Sequence, residues 1–170
     1  LPASGKSSLA WELTALLEKR GLSAQVLDSD RLRQVLTPEP TYSQSEREWF
    51  YQVLVYIAGL LAKNGVNVII AATGNRRHHR VQAREVIDKF MVVYLQCSLE
   101  TCIARDPKGI YAAAMRGKAQ TVPGLQSPYE APQSPELTVD SELRSPQDGA
   151  QKILHEILGR YYRESGKGGN

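Results

Sequence analysis

With 170 residues, 42% of them apolar and 23% charged, the chain is sized for one domain around one core, and no stretch approaches the roughly 20 apolar residues of a membrane span. A net charge of +3 admits anionic ligands without the dense basic patch of a nucleic-acid binder, so neither a membrane nor a nucleic acid is an expected partner. The two cysteines, Cys97 and Cys102, fit reduced core thiols in a cytoplasmic protein, because a chain of this size needs no disulfide.

The chain opens with "LPASGKSSLAWELTALLEKRG". Leu1, Pro2, Ala3 and Ser4 fill the four variable places of G-x-x-x-x-G-K-[ST], and Gly5, Lys6 and Ser7 complete it. The pattern's first glycine would fall one position before Leu1. Such a loop wraps an anion in successive backbone N–H groups and the positive end of the following helix. Lys6 would reach the β- and γ-phosphates of a nucleotide and Ser7 would ligate Mg²⁺, with Ser8 at the same helix start. The bland alternative is a serine-rich helix cap beside an exposed lysine. Leu9, Leu13, Leu16 and Leu17 predict an amphipathic helix over residues 7 to 19, stopped by Gly21.

"AQVLDSD" reads as a buried strand ending in the carboxylates Asp28 and Asp30. Ligands of open α/β sheets lie beyond the carboxyl ends of strands, where a carboxylate can orient Mg²⁺ or take the proton of an attacking hydroxyl. Against that stands a helix-capping role, for which Asp30 before "RLRQVL" is well placed. A long helix follows over about 44 to 63, with Trp49, Val53, Ile57 and Leu60 on its inner face and Asn64-Gly65 as its stop; Trp49 and Tyr161 are expected to anchor the core.

"NVIIAATG" and "FMVVYLQC" repeat the continuously apolar strand style, with a helix over 78 to 89 between them. In "GNRRHHR" the side chains are expected to be solvated, Arg80 being the one best placed to meet an anion, and the adjacency of His78 and His79 argues against a metal pair. Arg105 and Lys108 lie just before a long loop from Gly117 to Pro135, which carries four prolines and reads as a lid or a disordered segment. "ELTVD" is a last strand, Ile153, Leu154, Ile157, Leu158 and Tyr161 line a closing helix, and residues 164–170 read as a frayed tail. The expected fold is therefore α/β over residues 1–163, a mostly parallel sheet with helices on both faces. Because a phosphate loop follows a strand, the first strand is expected before Leu1, in a longer native polypeptide.

The same residues resemble adenylylsulfate kinases. "LPASGKSS", "LDSDRLR", "YSQSERE", "RDPKGIY" and "PGLQSPYEAPQSPEL" follow that family's motifs in order over nearly the whole chain. The resemblance implies a P-loop kinase fold and transfer of a phosphoryl group from MgATP to the ribose 3′-hydroxyl of adenosine 5′-phosphosulfate, in a homo-oligomer and with a sulfurylase domain often fused in the same polypeptide. Carried over by position, Asp28 and Asp30 match acidic residues near Mg²⁺ and the acceptor hydroxyl. Arg33 and Arg47 match arginines on the acceptor's phosphosulfate end, Tyr42 stands where a phenylalanine stacks on its adenine, and Arg105 and Lys108 match lid residues.

The pattern is broken at Phe50, Gln52 and Val53, where the family has an asparagine and two arginines, at Thr73, Gly74, Asn75 and Arg76 in place of I-S-P-Y, and at Val122 in place of a second aromatic. Ala112 and Ala113 replace lysines. These departures keep two alternatives open: a related kinase for another small hydroxyl acceptor, and a nucleotide-sensing domain without turnover.

Overall fold

A computed structural model describes residues 1–162; the tail expected to fray lies outside them. Four strands and seven helices follow in the order α1 (Lys6–Glu18), β1 (Ala24–Asp28), α2 (Ser29–Leu36), α3 (Gln44–Lys63), β2 (Asn67–Ala71), α4 (Arg77–Val86), β3 (Val93–Gln96), α5 (Leu99–Arg105), α6 (Ile110–Met115), β4 (Leu137–Asp140) and α7 (Pro146–Tyr161). All pairing is parallel. β1 pairs with β2, Val26 opposite Ile69, and β3 pairs with β4, Leu95 opposite Val139. The expected single sheet is thus seen as two parallel pairs, separated by an apolar cavity of about 760 Å³ bordered by β2, β3, α1 and α3.

Strand side chains alternate between two helical layers, which is why the strands read as continuously apolar. Ile69, Leu95 and Val139 join Leu9, Leu13 and Leu17 of α1 and Ile153 and Leu154 of α7 in one cluster. Leu27, Val68 and Ile70 join Phe50, Tyr51, Leu54 and Ala58 of α3 in the other. The approach of α7 to α1 depends on Gly149, where a Cβ would lie 2.9 Å from Leu9 and 3.1 Å from Val139.

Three expectations about local structure need correction. The inner face of α3 is Phe50, Tyr51, Leu54 and Ala58, while Trp49 and Leu60 are exposed; the helix is turned by about one residue, because both Phe50 and Tyr51 have partners beneath them. α4 ends at Val86 and β3 begins only at Val93, since Val92 N–H is taken by the Glu136 carboxylate and not by a ladder partner. The segment 99 to 115, read only as a basic approach to a lid, forms α5 and α6.

Those two short helices build a third cluster, Cys97, Cys102, Tyr111, Ala114 and Val122, against Leu1 and Ala3. Tyr111 is fully buried and its hydroxyl donates to the Pro2 carbonyl at 3.2 Å, so the phosphate loop rests on this cluster. Both cysteines are free and buried, as expected of core thiols.

Candidate functional site

The opening loop enters α1 through Gly5, whose φ of +93° belongs to glycine's left-handed region and lets the backbone turn into the helix without a Cβ clash. Ala3 also has positive φ, +59°. Ser4 is buried and its hydroxyl donates to the Leu1 carbonyl at 2.9 Å, closing the loop on itself. Lys6 Nζ donates to the same carbonyl at 2.6 Å, folded over the loop that its neighbours form. Burial lowers the Lys6 pKa from its ordinary value, opposed mainly by Asp30. Ser8 faces solvent on the outer side.

β1 delivers Asp28 to this loop. Ser7 Oγ donates to Asp28 Oδ2 at 2.5 Å across a sequence separation of 21 residues. Asp28 Oδ1 accepts from the Asp30 and Arg31 N–H groups at 2.9 and 3.3 Å, so Asp28, not Asp30, is the N-cap of α2. The extended backbone of the last strand residue is the one a cap requires. Burial would raise the Asp28 carboxyl, but the Ser7 hydrogen bond, the two backbone donors and the Lys108 charge outweigh it and hold its pKa low. Asp30 projects from the first turn of α2 to Lys108 Nζ at 2.5 Å. Arg105 turns the other way, donating to the Ser141 carbonyl at 2.7 Å, and lines a cavity of about 350 Å³ with Ser4, Gly5 and Leu143.

A second group lies where α2, α3 and the loop after α6 meet. Arg33 is buried, pairs with Glu46 at 2.9 Å and lies 3.8 Å above the Phe50 ring and 5.2 Å from the Tyr42 ring. Arg47 lies 5.4 Å from Tyr42 and donates to the carbonyls of Tyr42 and Thr121 at 3.1 and 2.9 Å. Tyr42 itself is 40% exposed. Burial would raise the Glu46 carboxyl, but the Thr41 hydroxyl and N–H and the Arg33 charge hold it below the usual range. Val122 is buried in the third cluster and offers no open face for stacking.

The proline-bearing loop is held in place: Glu130 N–H donates to the Asn75 carbonyl at 2.8 Å, and Glu130 pairs with Arg76 at 2.9 Å. Arg77 and His78 are exposed as expected, but Arg80 donates to the carbonyls of Gly74 and Glu130 and His79 is buried, so the segment is only partly the solvated cluster expected of it.

Sequence reasoning passed over Glu46 and Thr121. Ser43 and Glu46 make the S-x-x-E spacing of a capping box, a signal that was present; Ser43 Oγ does accept from Glu46 N–H at 3.2 Å. The Glu46 side chain, however, turns to Arg33 and to Thr41, whose N–H donates to it at 2.5 Å. Thr121 has φ +61° and Tyr42 φ +54°, and the Thr121 hydroxyl donates to the Tyr42 carbonyl at 3.1 Å. Among the described residues the non-glycine positions in the left-handed region, Ala3, Tyr42 and Thr121, sit at these two groups, where surrounding contacts must sustain the strain.

The comparisons agree with this geometry. The adenylylsulphate kinase family profile matches residues 1–140. The chain is 37% identical to a probable adenylyl-sulfate kinase of Pyrococcus abyssi over 153 residues, covering 90% of this chain and 88% of that one. It is 33% identical to a probable bifunctional SAT/APS kinase of Sorangium cellulosum, covering 92% of this chain and 27% of that protein. Its fold is similar to the Mycobacterium tuberculosis APS kinase CysC solved with AMPPNP and APS, with a TM-score of 0.86, 36% identity and 92% of each chain covered. A phosphate loop resting on its own cluster, joined through Ser7 to the carboxylate that ends β1, and a profile match over most of its length assign this chain to the adenylylsulphate kinase family.

Proposed function

We propose that the chain transfers the γ-phosphoryl group of ATP to the 3′-hydroxyl of adenosine 5′-phosphosulfate (APS), forming ADP and 3′-phosphoadenosine 5′-phosphosulfate, a step of sulfate assimilation. The observation that carries this reading is the 2.5 Å contact of Ser7 with Asp28, which brings the phosphate loop and the strand-end carboxylate to one centre. Phosphoryl transfer depends mostly on positioning and charge stabilisation, and both are provided by groups already fixed in place.

In this reading the backbone of Pro2, Ala3, Ser4 and Gly5 and the start of α1 surround the phosphates, with Ser8 at the edge. Lys6 exchanges its carbonyl partner for phosphate oxygens, a small movement for a side chain already folded over the loop. The Ser7 hydroxyl and the buried Asp28 carboxylate, whose pKa is held low, are hard oxygen donors, a set that suits Mg²⁺. Magnesium bound there would neutralise charge on the transferring phosphates.

Asp28 has both oxygens engaged, whereas Asp30 keeps one oxygen without a protein partner and is the better acceptor for the proton leaving the 3′-hydroxyl. The new bond joins that hydroxyl oxygen to phosphorus as the bond to ADP breaks. Lys108 would steady Asp30, and Arg105, which borders the cavity of about 350 Å³ beside the phosphate loop, would lie next to the donor nucleotide. Arg33 and Arg47 would meet the phosphosulfate end of the acceptor and Tyr42 its base. Residues 117–135 would act as the covering segment within a kinase unit of residues 1–163.

A fold whose two cysteines sit in the core without a disulfide suits a cytoplasmic setting. A homo-oligomer and a sulfurylase domain in the same polypeptide complete the proposal; exposed Val35 and Tyr56 would suit the former. Among the described residues no helix is long and apolar enough to cross a membrane.

A second reading, a related kinase for another small hydroxyl acceptor, draws on the acceptor end alone. There Arg33 is already paired with Glu46, and Gln52 and Val53 supply no cation. ADP release measured with APS and with a panel of small alcohols and sugars tests both: turnover on APS with a product one phosphate heavier is expected, and turnover only on another acceptor would transfer the assignment to it.

A further inference from the structure

Away from the phosphate loop, α3 and the first turn of α4 bring together Glu48, His78 and His79. Both imidazoles reach one carboxylate oxygen: His78 Nε2 lies 2.6 Å and His79 Nε2 3.1 Å from Glu48 Oε2. One ligand-capable atom from each of the three residues falls within 4.8 Å of the others. Adjacent histidines on a helix do not share a face, but here the residues sit at the helix start and their rings, 4.2 Å apart and inclined by 64°, converge on the neighbouring helix.

We infer that Glu48, His78 and His79 form a binding site for a zinc-class divalent metal ion, clasping α3 to α4. The donor set is two imidazole nitrogens and one carboxylate, which suits borderline-soft ions and not the oxygen-seeking Mg²⁺ or Ca²⁺. Ligand atoms about 2.0 to 2.1 Å from a tetrahedral ion stand roughly 3.3 Å apart, so the two imidazole–carboxylate spacings need to open by less than about 1 Å and the imidazole pair, within 4.8 Å, needs to close by at most about 1.5 Å.

His79 is held for the purpose. It is only 3% exposed, and its ring stacks on Tyr51 at 4.1 Å and 24°. The Tyr51 hydroxyl accepts from Gly74 N–H at 2.8 Å and fixes that platform. The nearby cations are committed elsewhere: Arg76 to Glu130, Arg77 to the Ala131 carbonyl, and Arg80 to the carbonyls of Gly74 and Glu130. Among the described residues Glu48 therefore has no lysine or arginine partner, and the two imidazoles are its only ones.

The same geometry sets the character of the site. His79 Nδ1 is buried without a partner, so no outer acceptor strengthens this ligand. His78 is 49% exposed and leaves a fourth position open to water. Such a site exchanges with free metal, unlike a closed four-ligand structural centre. Glu48 also follows Arg47, which holds the Thr121 carbonyl, so an ion here would stiffen the helix that carries the acceptor-side arginine.

The test uses the full chain in chelator-treated buffer with excess Mg²⁺ to occupy the hard oxygen site, titrated with Co²⁺ and then Zn²⁺. One equivalent of Co²⁺ should give the visible absorption of a tetrahedral nitrogen-ligated ion, and Zn²⁺ should displace it and raise the unfolding temperature. His78→Ala removes a half-exposed ligand and should unfold as wild type in chelator, yet bind Zn²⁺ at least about tenfold more weakly and lose the Co²⁺ band. Glu48→Gln keeps a hydrogen-bond acceptor and should do the same. Absence of a stoichiometric Co²⁺ band in the wild type, or Zn²⁺ affinities within tenfold of wild type in both variants, would overturn the assignment.

Discussion

The two ends of the site are built differently. At the phosphate end most polar contacts are made by groups close to the loop or at the adjacent strand tip, Ser4 and Lys6 to the Leu1 carbonyl, Ser7 to Asp28 and Asp28 to the N–H groups of α2, with Tyr111 reaching the Pro2 carbonyl and Lys108 reaching Asp30 from farther along the chain. At the acceptor end the two arginines are spent on the chain itself, Arg33 on Glu46 over the Phe50 ring and Arg47 on the carbonyls of Tyr42 and Thr121. At the first end the internal partners are local, so on the proposed reading Lys6 has only to leave the Leu1 carbonyl beside it; at the other, a ligand would have to displace partners that tie separate elements together. On the proposed reading, donor chemistry and recognition of the second substrate would fall on separate sets of contacts, so one could change without the other.

If that division is right, substitutions at the two ends should fail in different ways. The largest effect belongs to Lys6→Ala, which should lower kcat/KM by about 10²- to 10³-fold with any acceptor, the loss of one preorganised charge donor; steady-state ADP release checks it. Phe50→Ala empties a fully buried position under Arg33 and should cost about 3 to 5 kcal/mol of stability in denaturant titration. Glu46→Ala leaves Arg33 buried without its partner and should cost on the order of 3 kcal/mol, while raising the KM for the acceptor and not for ATP.

Asp28→Asn sharpens the contrast further, since asparagine caps a helix as well as aspartate and only the charge is lost. The folded-state pKa of Asp28 is lowered, so its charge stabilises the protein fully above the unfolded value, and that advantage is lost as pH falls through the lower native value. The stability gap between wild type and Asp28→Asn should therefore be constant near neutrality and close only in strong acid. At the small end, Trp49→Ala, at a site 45% exposed, should change stability by about 0.5 kcal/mol or less.

Much of this was legible in the residues. Leucine spacing gave α1, apolar runs gave the starts of β1 and β2 but overran their ends at Asp28 and Ala71, and Asn64-Gly65 marked the end of α3. Glycine and lysine at fixed spacing before a helix, with carboxylates at the next strand's end, pointed to the phosphate centre because those contacts are local or cross one strand. What could not be read was rotation and partner choice. Periodicity admits both the Trp49 and the Phe50 faces of α3, and only the strands beneath select the second. D-S-D offers two aspartates to cap α2, and the pattern does not choose Asp28 over Asp30; nor does it reveal that Glu46 turns to Arg33 or that His79 leaves solvent to stack on Tyr51, since those are decided by residues distant in sequence.

The central claim is that Lys6 and Asp28 serve one phosphate centre, and a double-mutant cycle tests it most directly. With Lys6→Ala, Asp28→Asn and the double variant assayed for phosphoryl transfer from ATP to APS, the combined loss should fall short of the product of the single losses by a coupling of at least about 0.5 kcal/mol. Losses that simply multiply would show the two residues acting independently and would contradict the shared centre.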